Sequence, residues 1–354
     1  MIWARPARVI LTLVGAAALA IGFSALEVGA RPKQPPVVEA PPPPPAPPPM
    51  PDVFMSPRLV TQAAAYAGYM RSATQISPNF DSGLSVSTSL RQGAAYEPSE
   101  FVHGAVAYAA LAALQDPTFV AAVRAAGSTA ENRYTIVSRI FQDPGYAFAF
   151  KGADAAAGLA KTALIGQGTN LFNDGVSVKM AAYSMQHQAW SKEDVPERPA
   201  RLATVKTLSS GPIPISPEDA MTLQRAASGS GLGLPPATAA PPYSRMIKHA
   251  LALAALAAIG QAGDDNVQNL GWLDDDSKTS HCVAEAKENL YQCLAVARPN
   301  YEDVFCLGQH ALADTGACVV QGAGGAIPLE VSTKPMIIPP VHGGVHHKVK
   351  RRRA

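Results

Sequence analysis

Every cysteine of the chain lies between His281 and Val319, at positions 282, 293, 306 and 318, and this spacing limits the fold more than any other feature. The inner pair, Cys293 and Cys306, and the outer pair, Cys282 and Cys318, are both centred on Pro299-Asn300, a turn signal. The flanking stretches "VAEAKENLYQCLAVA" and "YEDVFCLGQHALAD" are helical in pattern. They predict an antiparallel helical hairpin with disulfides Cys293–Cys306 and Cys282–Cys318 at two levels. A Cys282–Cys293 bond is excluded within one helix. Eleven residues put the two thiols on one face, but about 16 Å apart at about 1.5 Å per residue, whereas bonded Cα atoms lie within about 7 Å. The twelve residues from Cys306 to Cys318 would turn the latter by about 120° on a continuous α-helix. The expectation is therefore that the helix ends at Gly316 and frees Cys318.

Zinc held by these thiols, with His281 and His310 as further ligands, is the competing chemistry, but the short Cys-x-x-Cys spacing of common zinc sites is absent. The same absence argues against thioredoxin-like redox chemistry. Neither a metal nor any other cofactor is expected. The arrangement resembles the twin-cysteine hairpins of the coiled-coil-helix-coiled-coil-helix proteins, with Cys282/Cys293 and Cys306/Cys318 as the two pairs. Its intervals of ten and eleven residues are longer than that family's, and the resemblance implies a shared structural solution without a shared function.

The N-terminus sets the compartment. Arg5 and Arg8 precede an uncharged run from Val9 to Leu26, the order of a secretory signal or signal anchor. Eighteen residues lie near the lower limit of about 17 for a membrane-spanning helix. Residues 1–30 are thus a single-pass inner-membrane anchor with its N-terminus in the cytoplasm and the body in the periplasm. The alternative is a signal peptide cleaved after Ala30, leaving a soluble periplasmic protein. Residues 31–57, with the proline run from Pro35 to Pro51, exclude helix and sheet and favour a stiff polyproline II spacer or a docking ligand.

Beyond this spacer, hydrophobic residues make up 47% of the chain and aromatic residues only 6%, with alanine prominent, which favours close-packed helices over a β-sandwich. The predicted class is all-α: a helical bundle with a C-terminal stapled hairpin. Its expected segments are a helical domain over 58–190, a proline- and glycine-rich linker with one short helix over 191–245, a C-terminal module over 246–325 and a disordered basic tail over 326–354. The net charge of +2 owes much to the last residues, "KVKRRRA", so the body offers no basic footprint for nucleic acid. The tail itself suits anionic lipid or other acidic envelope polymers.

Within the body, Ser99, Asp116 and Ser128 are the expected starts of three short helices, with Pro117 opening the second and Gly127 stopping it. From Lys151 to Trp190, Leu164, Leu171, Val178 and Met185 recur every seven residues, each followed by one of Gly168, Gly175, Ala182 and Ala189. Large residues beside small ones predict a close helix–helix contact, inside the chain or in a coiled-coil homodimer, with an interruption near Asn173-Asp174-Gly175. Ser216 caps the one linker helix, and Ser244–Gly263 form a buried, strongly apolar helix whose uncharged core from Ala250 to Gly263 is too short to span a bilayer.

No catalytic constellation emerges. "GSGLG" at Gly229 to Gly233 has neither nucleotide-loop nor nucleophile-elbow spacing around Ser230. Glu100, near His103, is the only carboxylate placed to act as general acid on cell wall, and its first-turn position already explains it. Asp274, Asp275 and Asp276 lack the alternation of a calcium loop, and one of them caps the next helix. His103, His187 and His249 stand singly; His342, His346 and His347 lie in the tail. The chain is read as a non-enzymatic envelope scaffold or adaptor. It contacts envelope or polar proteins through the proline segment or the helical body, and the inner membrane through residues 9–26. The order of Val9–Leu26 and Pro35–Pro51 resembles the bitopic, proline-rich flagellum-positioning proteins of stalked alphaproteobacteria, which implies polar organisation or flagellum placement. The alternatives are an exported cell-wall hydrolase and a released periplasmic binding module.

Overall fold

Helix starts are written in side chains. In the computed structural model, which describes residues 52–263 and 271–330, α1 (Pro57–Ala73) opens with Ser56 Oγ accepting the Leu59 N–H at 3.2 Å. α2 (Gly83–Ala94) begins in a reciprocal Ser82/Ser85 capping box. α3 (Pro98–Ala113) is capped two residues before Ser99, because the Glu97 carboxylate accepts the Glu100 N–H at 2.7 Å and Pro98 fills the first helical position. α4 (Pro117–Ala126) is capped by Asp116 and closed by Gly127 as expected, and α5 (Ala130–Gln142) is capped by Thr129 in place of Ser128. The expected membrane segment 9–26, the proline run Pro35–Pro51, the tail beyond Glu330 and its three histidines lie outside the described residues. Among those residues no single helix is long and apolar enough to cross a membrane.

α6 (Ala153–Met185) runs for 33 residues without a break, straight through Asn173-Asp174-Gly175. The anticipated interruption is missing because its glycines are pressed against another helix, so packing outweighs their poor propensity. Leu164, Leu171, Val178 and Met185 are buried, as are Gly168, Gly175 and Ala182, while Ala189 falls beyond the helix and is exposed. The small-residue stripe faces the C-terminal helical run. A Cβ on Gly168 would lie 2.8 Å from Gly316 O, and one on Gly316 would lie 2.6 Å from Gly168 O. At Gly175 the nearest atom would be Ala313 N at 2.3 Å. The seam is therefore backbone against backbone inside one chain, and the stripe leaves no face for a second copy.

The segment expected as a linker contains two helices, α7 (Arg198–Leu208) and α8 (Pro217–Ala226). α8 has the anticipated Ser216 cap; α7 has no side-chain cap, which is why its start left no mark in the sequence. α9 (Arg245–Ala258) and α3 are buried on almost every side and touch each other, as apolar-all-round helices must. Residues from the stretches 58–190 and 246–325 thus share one core, and the described residues belong to a single compact unit. Helix accounts for 69% of the described residues, and there is no strand among them.

The hairpin consists of α10 (Ser277–Val296), a turn at Ala297–Pro299, and a continuous return through α11 (Asn300–Cys306), a π-helical stretch (Leu307–Ala313) and α12 (Asp314–Gly322). Both expected disulfides are present, Cys282–Cys318 and Cys293–Cys306, each with Cα atoms 5.7 Å apart. Gly316 does not end the helix. The π-turn closes one residue later than an α-turn and so absorbs one residue of the twelve; the other eleven make about three turns and return Cys318 to the face of Cys306.

Candidate functional site

Where the hairpin turn meets the former linker, α2, residues 193–197, α7 and the start of α11 enclose a cleft of about 620 Å³. Its wall is fixed by main-chain bonds: Val195 N donates to Arg298 O at 2.8 Å, and Asn300 N donates to Glu193 O at 3.2 Å. Asn300 Nδ2 also donates to the carbonyls of Trp190 and Glu193, each at 3.2 Å. The Cys293–Cys306 bond closes the hairpin directly behind this turn.

Two arginines of α7 hold the end of α10. Arg198 donates to Ala297 O at 2.7 Å and Ala295 O at 2.9 Å, and Arg201 donates to Leu294 O and to the Asp303 carboxylate. Guanidinium groups at a helix C-terminus satisfy its last carbonyls and complement its dipole. The Arg201–Asp303 pair is buried, with side chains 8% and 3% exposed. Burial pushes the Asp303 carboxyl up to about 6 against the opposing pull of Arg201. One donor remains unused: Arg201 Nε is buried without an acceptor.

The other charges of the cleft are uncompensated. Glu193, Asp194, Glu197 and Arg91 line it and make no ion pair among the described residues. Glu197 has φ 48°, the only non-glycine among the described residues in the left-handed region. Such a conformation costs about 1–3 kcal/mol and persists where surroundings impose it. Leu84, 77% exposed, Val195 and Pro196 add an apolar rim. A concave site with convergent polar groups, a shifted carboxyl and local strain is suited to holding a ligand or peptide.

No protein family, curated protein or solved structure matches the chain.

The residues singled out in the sequence are scattered. Glu100 is exposed on a second cleft of about 320 Å³, beside Glu97 and Gln62. His103 Nε2 lies 3.5 Å from Ser99 Oγ, and its buried Nδ1 has no partner. Asp274 is buried 3.7 Å from Arg58, and burial raises its pKa while His103 and Arg58 lower it. Asp275 accepts from Ser280 and Asp276 caps α10, so the three aspartates serve three separate contacts. His249 binds Asp275 O at 2.9 Å, and burial lowers its pKa; His187 is exposed. His281 lies 3.7 Å from Glu285 and His310 lies 2.7 Å from Asp314; the four thiols are bonded to each other, which leaves zinc no thiolate. Gly229, Gly231 and Gly233 each adopt positive φ, in loop. The cleft went unread because "EDVPERPAR", Glu193–Arg201, resembles solvated linker until Pro299 and Asp303 are brought to it; its dense alternation of acid and arginine was the available signal.

Proposed function

We propose that the chain is a non-enzymatic scaffold of the bacterial envelope, anchored in the inner membrane by residues 9–26 and spaced from it by Pro35–Pro51, with the helical body in the periplasm. The observation that carries the adaptor role is the cleft, in which three carboxylates and Arg91 converge without internal partners. The two disulfides support export, since such bonds persist in oxidising compartments. Polar organisation or flagellum placement is the process proposed for it. A scaffold of this kind binds envelope proteins through the body, and the proline run sets distance. In-cell crosslinking tests this with the full chain, a version lacking Pro35–Pro51 and the triple variant Glu193→Gln, Asp194→Asn, Glu197→Gln. The deletion should keep its partners in the membrane fraction and the triple variant should lose them. The reverse pattern would move recognition to the proline segment and sink the cleft reading.

An exported hydrolase is the second reading, resting on Glu100 beside Glu97 in the smaller cleft. Digestion of purified peptidoglycan that disappears in Glu100→Gln would favour it over the scaffold; no digestion by the native chain removes it.

A further inference from the structure

The unpaired charges of the large cleft describe what should fill it. Arg201 and Asp303 satisfy each other, leaving Glu193, Asp194 and Glu197 against Arg91, an acidic excess. A basic peptide supplies the complement, cationic side chains for the three carboxylates. The exposed Leu84, with Val195 and Pro196, offers apolar surface to the methylene stems of lysine and arginine.

This chain contains such a peptide. Lys348, Lys350, Arg351, Arg352 and Arg353 fall within six residues, and no acidic residue occurs after Glu330. We infer that the C-terminal segment Lys348–Arg353 docks in the cleft of its own chain. Reach permits it. Glu330 is tied to Lys179 Nζ at 2.5 Å, and Lys179 N would lie 2.4 Å from a Cβ on Gly308, five residues along the return helix from Asp303. Five residues of helix span about 8 Å, whereas the seventeen residues 331–347 extend up to about 55 Å. A docked tail therefore competes with any outside ligand of the cleft. The contact is ionic, so salt weakens it.

The inference rests on the cleft being a binding site, but its test needs neither envelope nor partner. Purified full-length chain, labelled and unlabelled copies mixed, is treated with a carbodiimide, which joins carboxylates directly to lysine amines, and the linked peptides are sequenced. Lys348 and Lys350 should be joined to Glu193, Asp194 or Glu197 within one chain, with yields falling at least about fivefold between low and 1 M salt. The Glu193→Gln, Asp194→Asn, Glu197→Gln variant, checked for native helix content and both disulfides, should lose these links. Links that join labelled to unlabelled chains, tail lysines joined elsewhere, or no tail links would each overturn the inference. A chain ending at Glu330 that keeps its crosslinked envelope partners shows that the scaffold reading survives such a failure.

Discussion

Two alanine substitutions on α6, nine residues apart, should change stability in opposite directions. At Gly166 an added Cβ meets nothing within 4 Å, whereas at Gly175 it would lie 2.3 Å from Ala313 N and 2.6 Å from Gly308 O. Both substitutions gain about 1 kcal/mol of helix propensity. At Gly166 that gain is the whole effect. At Gly175 the obstructing atoms are backbone of a helix fastened by two disulfides, so they cannot swing aside, and overpacking costs about 3 kcal/mol, the upper part of the usual range. The net loss is about 2 kcal/mol. A body of this size shifts by roughly 2–4 °C per kcal/mol, so thermal unfolding followed by circular dichroism should show Gly166→Ala raising Tm by about 2–4 °C and Gly175→Ala lowering it by about 4–8 °C. Gly308→Ala, which would place a Cβ 2.4 Å from Lys179 N, should act like the latter. Equal stabilisation at Gly166 and Gly175 would refute the close seam between α6 and the C-terminal run.

Three other perturbations follow from the same contacts. Asp303, held up to about 6 by burial, takes its proton more readily folded than unfolded. Its contribution is therefore complete below pH about 4 and is lost as pH rises through about 6, by up to about 3 kcal/mol; urea titrations across this window should show the loss in the native chain and not in Asp303→Asn. Lys287 Nζ donates to Ala94 O at 2.6 Å and Ser209 Oγ at 3.1 Å and lies 3.4 Å from the Tyr96 ring centroid, and burial lowers its pKa well below the ordinary lysine value. Its contribution is thus lost as pH falls and recovered as pH rises towards about 10.4. Lys287→Met should be less stable by about 1–3 kcal/mol at alkaline pH, through the loss of two buried hydrogen bonds, although Ala94 O keeps the Ser209 hydroxyl at 3.1 Å, and the gap should narrow on acidification; a gap constant with pH would contradict this. The disulfides close spans of 36 and 13 residues, so chain entropy assigns about 4 kcal/mol to Cys282–Cys318 and about 3 to Cys293–Cys306. Paired alanine variants should rank in that order in denaturant midpoint.

The parts of the fold visible in the sequence were those with short-range signatures. Asp116-Pro117 and Ser216-Pro217 mark helix starts through local hydrogen bonds, and the seven-residue alternation of leucine-like and small residues in α6 records a helix face. The symmetry of the cysteines about Pro299-Asn300 carried the pairing. What stayed hidden depends on distant atoms. The Glu97 cap competes with a better-looking Ser99 two residues on, and α7 is held by the carbonyls of Leu294, Ala295 and Ala297, nearly a hundred residues away. The π-turn lies between Cys306 and Cys318 and contains Gly308 of the seam, with no composition of its own. For the same reason the candidate cleft was illegible: its carboxylates and Arg201 lie in one segment, Arg91 lies in α2, and the turn and Asp303 that complete it lie about a hundred residues further on.

The cysteine register underlies the hairpin, the cleft wall and the argument for export, and one measurement reaches it directly. Protein taken from cell envelopes with thiols blocked can be cleaved after acidic residues, since Glu285, Glu288, Glu302, Asp303 and Asp314 separate all four cysteines. Mass spectrometry without reduction should find the Cys282 peptide joined to that of Cys318, and the Cys293 peptide to that of Cys306. Blocked free thiols, or a Cys282–Cys293 link, would contradict the account.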